Sequence, residues 1–270
     1  MSSDSYRLEL KVSTVHHVSG DVIDMDQSDL ITRAEPARRL SHIRPLAAWT
    51  FGLCGLALYN WWVLLPLKPG LMRSPNELFS DLEVTGQPFA TSMQHADLLA
   101  GLLLMAAFLA AGSRAIRGGR REWVAMMIFA ASGTFGGVFP EVCADGVSAV
   151  CRSMELRFQL PLGQYLHLVA GILEFGAITI ALLFAVRRTH NLQTRSAKTY
   201  RYLARAAYVA YPILGLAYLL NKLGSIPEAA FFVGFTVIVI IELLERTSTQ
   251  LPEEPRANEE ANREYHVSGA

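Results

Sequence analysis

Six apolar stretches, at 46–65, 96–112, 123–139, 165–186, 206–220 and 229–244, leave this chain few folds to choose from. Each approaches the roughly 20 residues that a helix needs to cross about 30 Å of hydrocarbon. They predict an all-α fold, a polytopic membrane helix bundle with six transmembrane helices. The gaps between them carry charge in alternation. The first holds Lys68 and Arg73, whereas the second holds Arg114, Arg117, Arg120 and Arg121; the third holds Arg152 and Arg157, whereas the fourth holds Arg187, Arg188, Arg195, Lys198 and Arg201. Cytoplasmic loops accumulate Lys and Arg, so the second and fourth gaps are expected inside a cell membrane together with both termini.

At 51% hydrophobic content and no net charge, the 270 residues carry more apolar sequence in long runs than a soluble domain would. Three parts follow: a cytoplasmic N-terminal extension at 1–44, partly disordered; a transmembrane domain at 45–246; and a disordered acidic cytoplasmic tail at 247–270. The extension holds no apolar core of signal-peptide length, so the first span is expected to direct insertion. Within it, Tyr6, Leu8, Leu10 and Val12 alternate at strand period, which permits a small hairpin. His16 and His17 lack a third metal ligand, and Arg38, Arg39 and Arg44 form a juxtamembrane basic patch. No concentrated basic face is present, which argues against nucleic acid and leaves membrane lipids as the expected surroundings. Cys143 and Cys151 fall in one outer loop, where an oxidising exterior favours a disulfide, while Cys54 lies inside the first span.

Charged groups inside spans are costly, which makes them the best guide to a site. Glu174 falls about mid-membrane, on one helix face with His167 and Gly171, and Tyr208 or Tyr211 of the fifth span is expected to hydrogen-bond it. Topology gathers Asp97, Glu141, His167, Asn221, Lys222 and Glu228 at the outer ends of the spans, beside a long first loop carrying Ser80, Asp81 and Glu83. Glu141 follows a helix C-terminus, where negative charge is disfavoured, so a cationic partner is expected in His167 or Lys222. Tyr59, Trp61 and Trp62 read as interfacial anchors, and Ser132, Gly133, Thr134, Gly136 and Gly137 as a packing strip. The sequence holds no P-loop, GxSxG, HExxH or CxxC motif, and no cofactor or metal site is expected.

Several short motifs carry a resemblance. Phe79-Ser80-Asp81-Leu82-Glu83-Val84-Thr85-Gly86-Gln87-Pro88 in the first outer loop, Gly136-Gly137-Val138-Phe139-Pro140-Glu141 ending the third span, and Leu166-His167 opening the fourth resemble the six-span bacterial membrane family catalogued as domain of unknown function 998. The likeness covers about residues 46–246. It departs at Gly224-Ser225-Ile226-Pro227-Glu228-Ala229, where the acid lacks the arginine that the family tends to pair with it, and in the added two-cysteine loop. The resemblance implies the fold and no reaction. A more distant likeness to ceramidase-like membrane hydrolases meets only His95 and His167 near the outer face, too few for a three-histidine metal site. Three functions remain open. The first is binding of a lipid or envelope partner at an outward-facing polar pocket of Ser80, Asp81, Asp97, Glu141, His167, Lys222 and Glu228. The second is an outward-facing hydrolase or transferase acting on lipid or envelope glycoconjugate, with His167 as base, Glu141 or Asp81 as its orienter and Ser80 or water as nucleophile. The third is a proton-linked carrier using Glu174.

Overall fold

A computed structural model describes residues 27–68, 70–72, 74–112, 119–220 and 222–248, with side chains from residue 43 onward, 66 and 218 excepted. The hairpin and the histidine pair expected near the N-terminus, the side chains of Arg38 and Arg39, Asn221, and the acidic tail lie outside the described residues. The chain divides into two compact units, residues 1–39 and 40–270, and the second holds every side chain discussed below.

The described residues form seven α-helices and no strand: α1 (Gln27–Tyr59), α2 (Ala90–Ala111), α3 (Arg120–Val138), α4 (Ala149–Leu156), α5 (Leu162–Arg188), α6 (Arg195–Leu220) and α7 (Ser225–Ser248). Helices α2, α5 and α7 are long and apolar enough to cross a membrane, and α1 contains a shorter apolar run, Ile43–Tyr59. The other expected spans differ for local reasons. In the first, the α-helix stops at Tyr59 and Trp61–Leu67 winds as a 3-10 helix. The third opens on Arg120, Arg121 and Glu122. The fifth is preceded in α6 by Arg195, Lys198, Arg201 and Arg205.

The surface inverts the usual order of a water-soluble protein. Leu99, Leu109, Ile172, Leu183, Val233 and Leu244 are exposed along the helices, whereas Glu77, Asp81, Glu122, Glu242 and Arg246 are buried. Helix α7 supplies the centre. Phe231, Phe235, Ile238, Glu242 and Arg246 recur every three or four residues and form one buried stripe. Phe235 meets Phe129 of α3 edge-on and Phe175 of α5, with centroids 5.8 and 5.0 Å apart. Phe231 lies 4.6 Å from Tyr211 of α6, and Phe232 lies 4.8 Å from Tyr59 of α1.

Between α2 and α3 the backbones approach so closely that only hydrogen fits at two positions. A Cβ on Gly101 would lie 2.6 Å from the Ala130 carbonyl, and one on Gly137 would lie 2.6 Å from the Leu98 nitrogen. The glycine strip of α3 is therefore divided. Gly137 admits α2, while Gly133 leaves room for the Glu174 carboxylate, which would sit 3.2 Å from a Cβ there.

The basic ends of α3, α5, α6 and α7 are joined by an ion network. Arg188 bonds Glu122 at 2.8 Å and Glu245 at 2.6 Å, and Arg246 bonds Glu242 at 2.9 Å. Arg246 also donates to the carbonyls of Gly112 and Gly119, and the Tyr200 hydroxyl donates to Glu242. We expect Gly101→Ala to destabilise the bundle by about 1–3 kcal/mol through overpacking. A fall in thermal midpoint in detergent checks this, against Gly215→Ala, whose added methyl meets nothing within 4 Å and is expected to cause no fall.

Candidate functional site

At the opposite end from the ion network, the first loop folds back into the bundle. Phe79, Leu82 and Val84 are buried, and Phe79 stacks on Trp62 with centroids 5.1 Å apart. Its polar backbone is matched by side chains from elsewhere. Glu228, in the first turn of α7, accepts the Phe79 amide at 2.7 Å. Asp81 accepts the Leu78 amide at 2.8 Å through one oxygen and reaches the Gly146 amide of the second loop at 3.5 Å through the other. Asn76 accepts the Leu223 amide, Ser225 donates to the Pro75 carbonyl, and the Thr85 amide donates to the Glu141 carbonyl. The segment thus ties together three loops that are far apart in sequence. The two tryptophans expected as interfacial anchors serve this seam, since Trp61 donates to Asp97 at 3.0 Å.

The second loop is closed by a disulfide between Cys143 and Cys151, with Cα atoms 6.0 Å apart, and Cys54 is free. Ser148 caps the short helix α4 by accepting the Cys151 amide. Gln164 of α5 then bridges the loop, accepting the Val142 amide at 2.9 Å and donating to Glu155 at 3.1 Å.

Beneath these loops lie acids with one histidine among them. His167 places Nδ1 2.8 Å from the Phe139 carbonyl and Nε2 3.4 Å from Glu141 Oε1. A carbonyl can only accept, so Nδ1 carries a proton. Nε2 then either bears a second proton against a carboxylate or accepts one from a carboxylic acid, and in both cases one proton is shared by the pair. Ser80 lies near enough to Glu141 to favour its ionised form, against the effect of burial. Asp97 lies close enough to Glu83 that its carboxyl group adds to the effect of burial in disfavouring an ionised Glu83.

The electrostatics of the loop acids follow from burial. Burial raises Asp81 to about 7 despite the Leu78 amide, with Asp145 adding to the effect. It also pushes Glu83 well up, reinforced by Asp97, and Glu141 well up, reinforced by Asp81 and Asp145 and opposed by the Ser80 hydroxyl. Among the described residues no three His, Cys, Asp or Glu side chains are placed to hold a metal ion.

Ser80, Asp81, Asp97, Glu141, His167 and Glu228 all come to this end. Lys222 does not join them; it stays exposed, its amide bonded to the Ala217 carbonyl. Glu174 also differs from expectation. Tyr208 is 83% exposed, and the Tyr211 hydroxyl is bonded to Thr179 and donates to the Phe175 carbonyl at 3.0 Å. The buried hydroxyl beside Glu174 is that of Tyr59, on α1. Tyr59 is 5% exposed, a core residue and not an interfacial anchor, because Phe129 and Phe232 enclose its ring. Sequence reasoning overlooked Asn76, Asp145, Glu155 and Gln164. Loop residues have no period to reveal them, though the apolar Phe79, Leu82 and Val84 inside a polar loop were a usable sign of a buried segment.

Comparisons with known proteins found no match among curated proteins and none among solved structures. A family model, described as "Protein of unknown function (DUF998)", matches residues 52–244, which takes in α2 to α6, the loop seam and nearly all of the bundle core. Covering most of the chain, that match shows that the protein belongs to the DUF998 family.

Proposed function

We propose that this is a six-span membrane protein with both termini cytoplasmic, and that it binds a lipid or protein partner of the cell envelope at its loop end without catalysing a reaction. The order of three side chains carries the reading. A serine nucleophile needs a base on its hydroxyl and an acid behind that base. Here His167 has the Phe139 carbonyl on one nitrogen and Glu141 beside the other, and Ser80 acts on that same carboxyl group, so the histidine is engaged without the serine. What this arrangement does well is hold protons. Asp81, whose carboxyl group accepts the Leu78 and Gly146 amides, is buried under these loops together with Glu83 and Glu141, and burial raises all three. Loop closure is therefore linked to protonation. The surface above suits a partner or a lipid interface, since Val150, Leu156, Phe158 and Leu162 are exposed around the disulfide-closed loop. The arginines at the far ends of α3, α5 and α7 support an inward orientation for that end.

A carrier reading has one observation in its favour. Glu174 and Tyr59 lie deep in the bundle, and Asp97 is near enough to Glu174 to bear on it electrostatically. That continuity connects the loop end to the interior.

Topology is checked by cysteine labelling in a Cys54→Ser background. Thr85→Cys should react with a membrane-impermeant maleimide in intact cells, and Asn191→Cys only after permeabilisation; both positions are exposed. The reverse pattern overturns the orientation.

Asp81 sets the sign of the pH dependence. Its folded value, about 7, lies above the ordinary aspartate value of 3.8. The folded loops bind the extra proton, so their stability is greatest below about pH 4 and is lost as pH rises through 7. Hydrogen exchange at 76–86 and 141–158 in reconstituted protein, divided by the intrinsic base-catalysed rate at each pH, should quicken between pH 5 and 8. Asp81→Asn, which cannot ionise, should flatten that rise; a wild-type profile independent of pH defeats the proton-linked reading.

Lipidomic profiling of a strain lacking the gene, complemented with variants, tests the absence of catalysis. Ser80→Ala should restore the wild-type profile, whereas His167→Gln should alter the pH profile of loop exchange at normal membrane abundance. Failure of Ser80→Ala to complement, at wild-type abundance, favours the hydrolase.

A further inference from the structure

At the arginine end, on the outside of the bundle, α5 and α6 leave a groove of about 470 Å³ lined by Val186, Arg201, Ala204, Arg205, Tyr208 and Val209. Its chemistry is unlike that of the ion network nearby. Arg201 and Arg205 are one helical turn apart and so share a face. Arg201 donates to the Leu192 carbonyl at 3.3 Å, and among the described residues no hydrogen-bond or ion-pair partner faces Arg205. Helix α6 contains no acidic residue, and the single acid of α5, Glu174, lies about three turns away from the groove's Val186. The remaining lining is apolar, and it continues along α6 into Val209, Ile213 and Leu216, all exposed.

Depth adds a second constraint, which rests on the six-span reading of α6. From Arg205 to the helix end at Leu220 is 15 residues. At 1.5 Å per residue that is roughly 22 Å, short of the about 30 Å of a hydrocarbon core. A span this short draws its flanking residues toward the acyl chains, at the level of glycerol and phosphate. A guanidinium held there without a protein carboxylate needs an anion that itself resides at that depth. We propose that this groove binds an anionic phospholipid of the cytoplasmic leaflet. Arg201 and Arg205 hold the phosphate through charge-assisted hydrogen bonds, Tyr208 lies at the glycerol level, and one acyl chain follows Val209 and Ile213. A zwitterionic lipid offers the same phosphate but brings a cationic headgroup that two arginines repel.

The test is native mass spectrometry of the full chain in detergent, with phosphatidylglycerol or phosphatidylcholine added at equal concentration. Wild-type protein should retain phosphatidylglycerol several-fold over phosphatidylcholine. The Arg201→Gln/Arg205→Gln double variant should lose that preference, and Arg195→Gln, on the same helix end but outside the groove, should keep it. An equal loss in Arg195→Gln means general basic attraction and overturns the site, as does equal retention of both lipids by the wild type. Glycerol phosphate in excess should not displace the lipid; displacement would assign the site to a soluble phosphate and overturn the lipid. Failure to retain either lipid overturns the site, and the spanning reading stands or falls separately on the cysteine labelling.

Discussion

Everything in this bundle is arranged around one helix that must bury charge at both ends. The stripe of α7 runs from Glu228 through Phe231, Phe235 and Ile238 to Glu242 and Arg246. Its middle is satisfied by aromatic packing against α3, α5 and α6, each edge contact contributing about 0.5–1.5 kcal/mol beyond its buried area. Its ends cannot be satisfied that way. An unpaired buried charge costs several kcal/mol, so each end has to recruit a partner from another part of the chain. Glu228 takes the backbone of the first loop, and Arg246 takes Glu242 with two carbonyls at the α2–α3 connection.

Those two solutions differ in kind, and the difference separates scaffold from site. At the arginine end, cations and carboxylates meet side by side, Arg188 between Glu122 and Glu245 and Arg246 on Glu242. Opposite charges in contact lock the helices to one another. At the loop end the acids have amides, hydroxyls, one another and a single histidine. Burial without compensating cations leaves them holding protons near neutrality, with Asp81 at about 7. One end is a clasp; the other can respond to its surroundings.

The loop seam also explains why a long connection can be well packed. A buried loop exposes its backbone to a medium that cannot hydrogen-bond it unless partners are supplied. Asn76, Asp81, Glu141 and Glu228 supply them, and the Cys143–Cys151 disulfide restrains the loop that provides Gly146. The price of that arrangement is a set of desolvated acids, which links loop closure to proton binding.

Much of this protein is written in one dimension. Apolar runs of about 20 residues demand helices in any surroundings, arginine placement marks alternate ends, and two cysteines eight residues apart in one loop can reach each other without help from the rest of the fold. Glu141 and His167 are also readable, because the end of α3 and the start of α5 flank one loop. Tertiary structure decided what has no period and no sequence proximity. Tyr59 rather than Tyr211 faces Glu174, since α1 and α6 offer equivalent rings at similar depth and only packing chooses between them. Arg188 and Arg246 find Glu122, Glu245 and two carbonyls because the helix ends converge, and Arg205 stays exposed because no acid among the described residues converges with it.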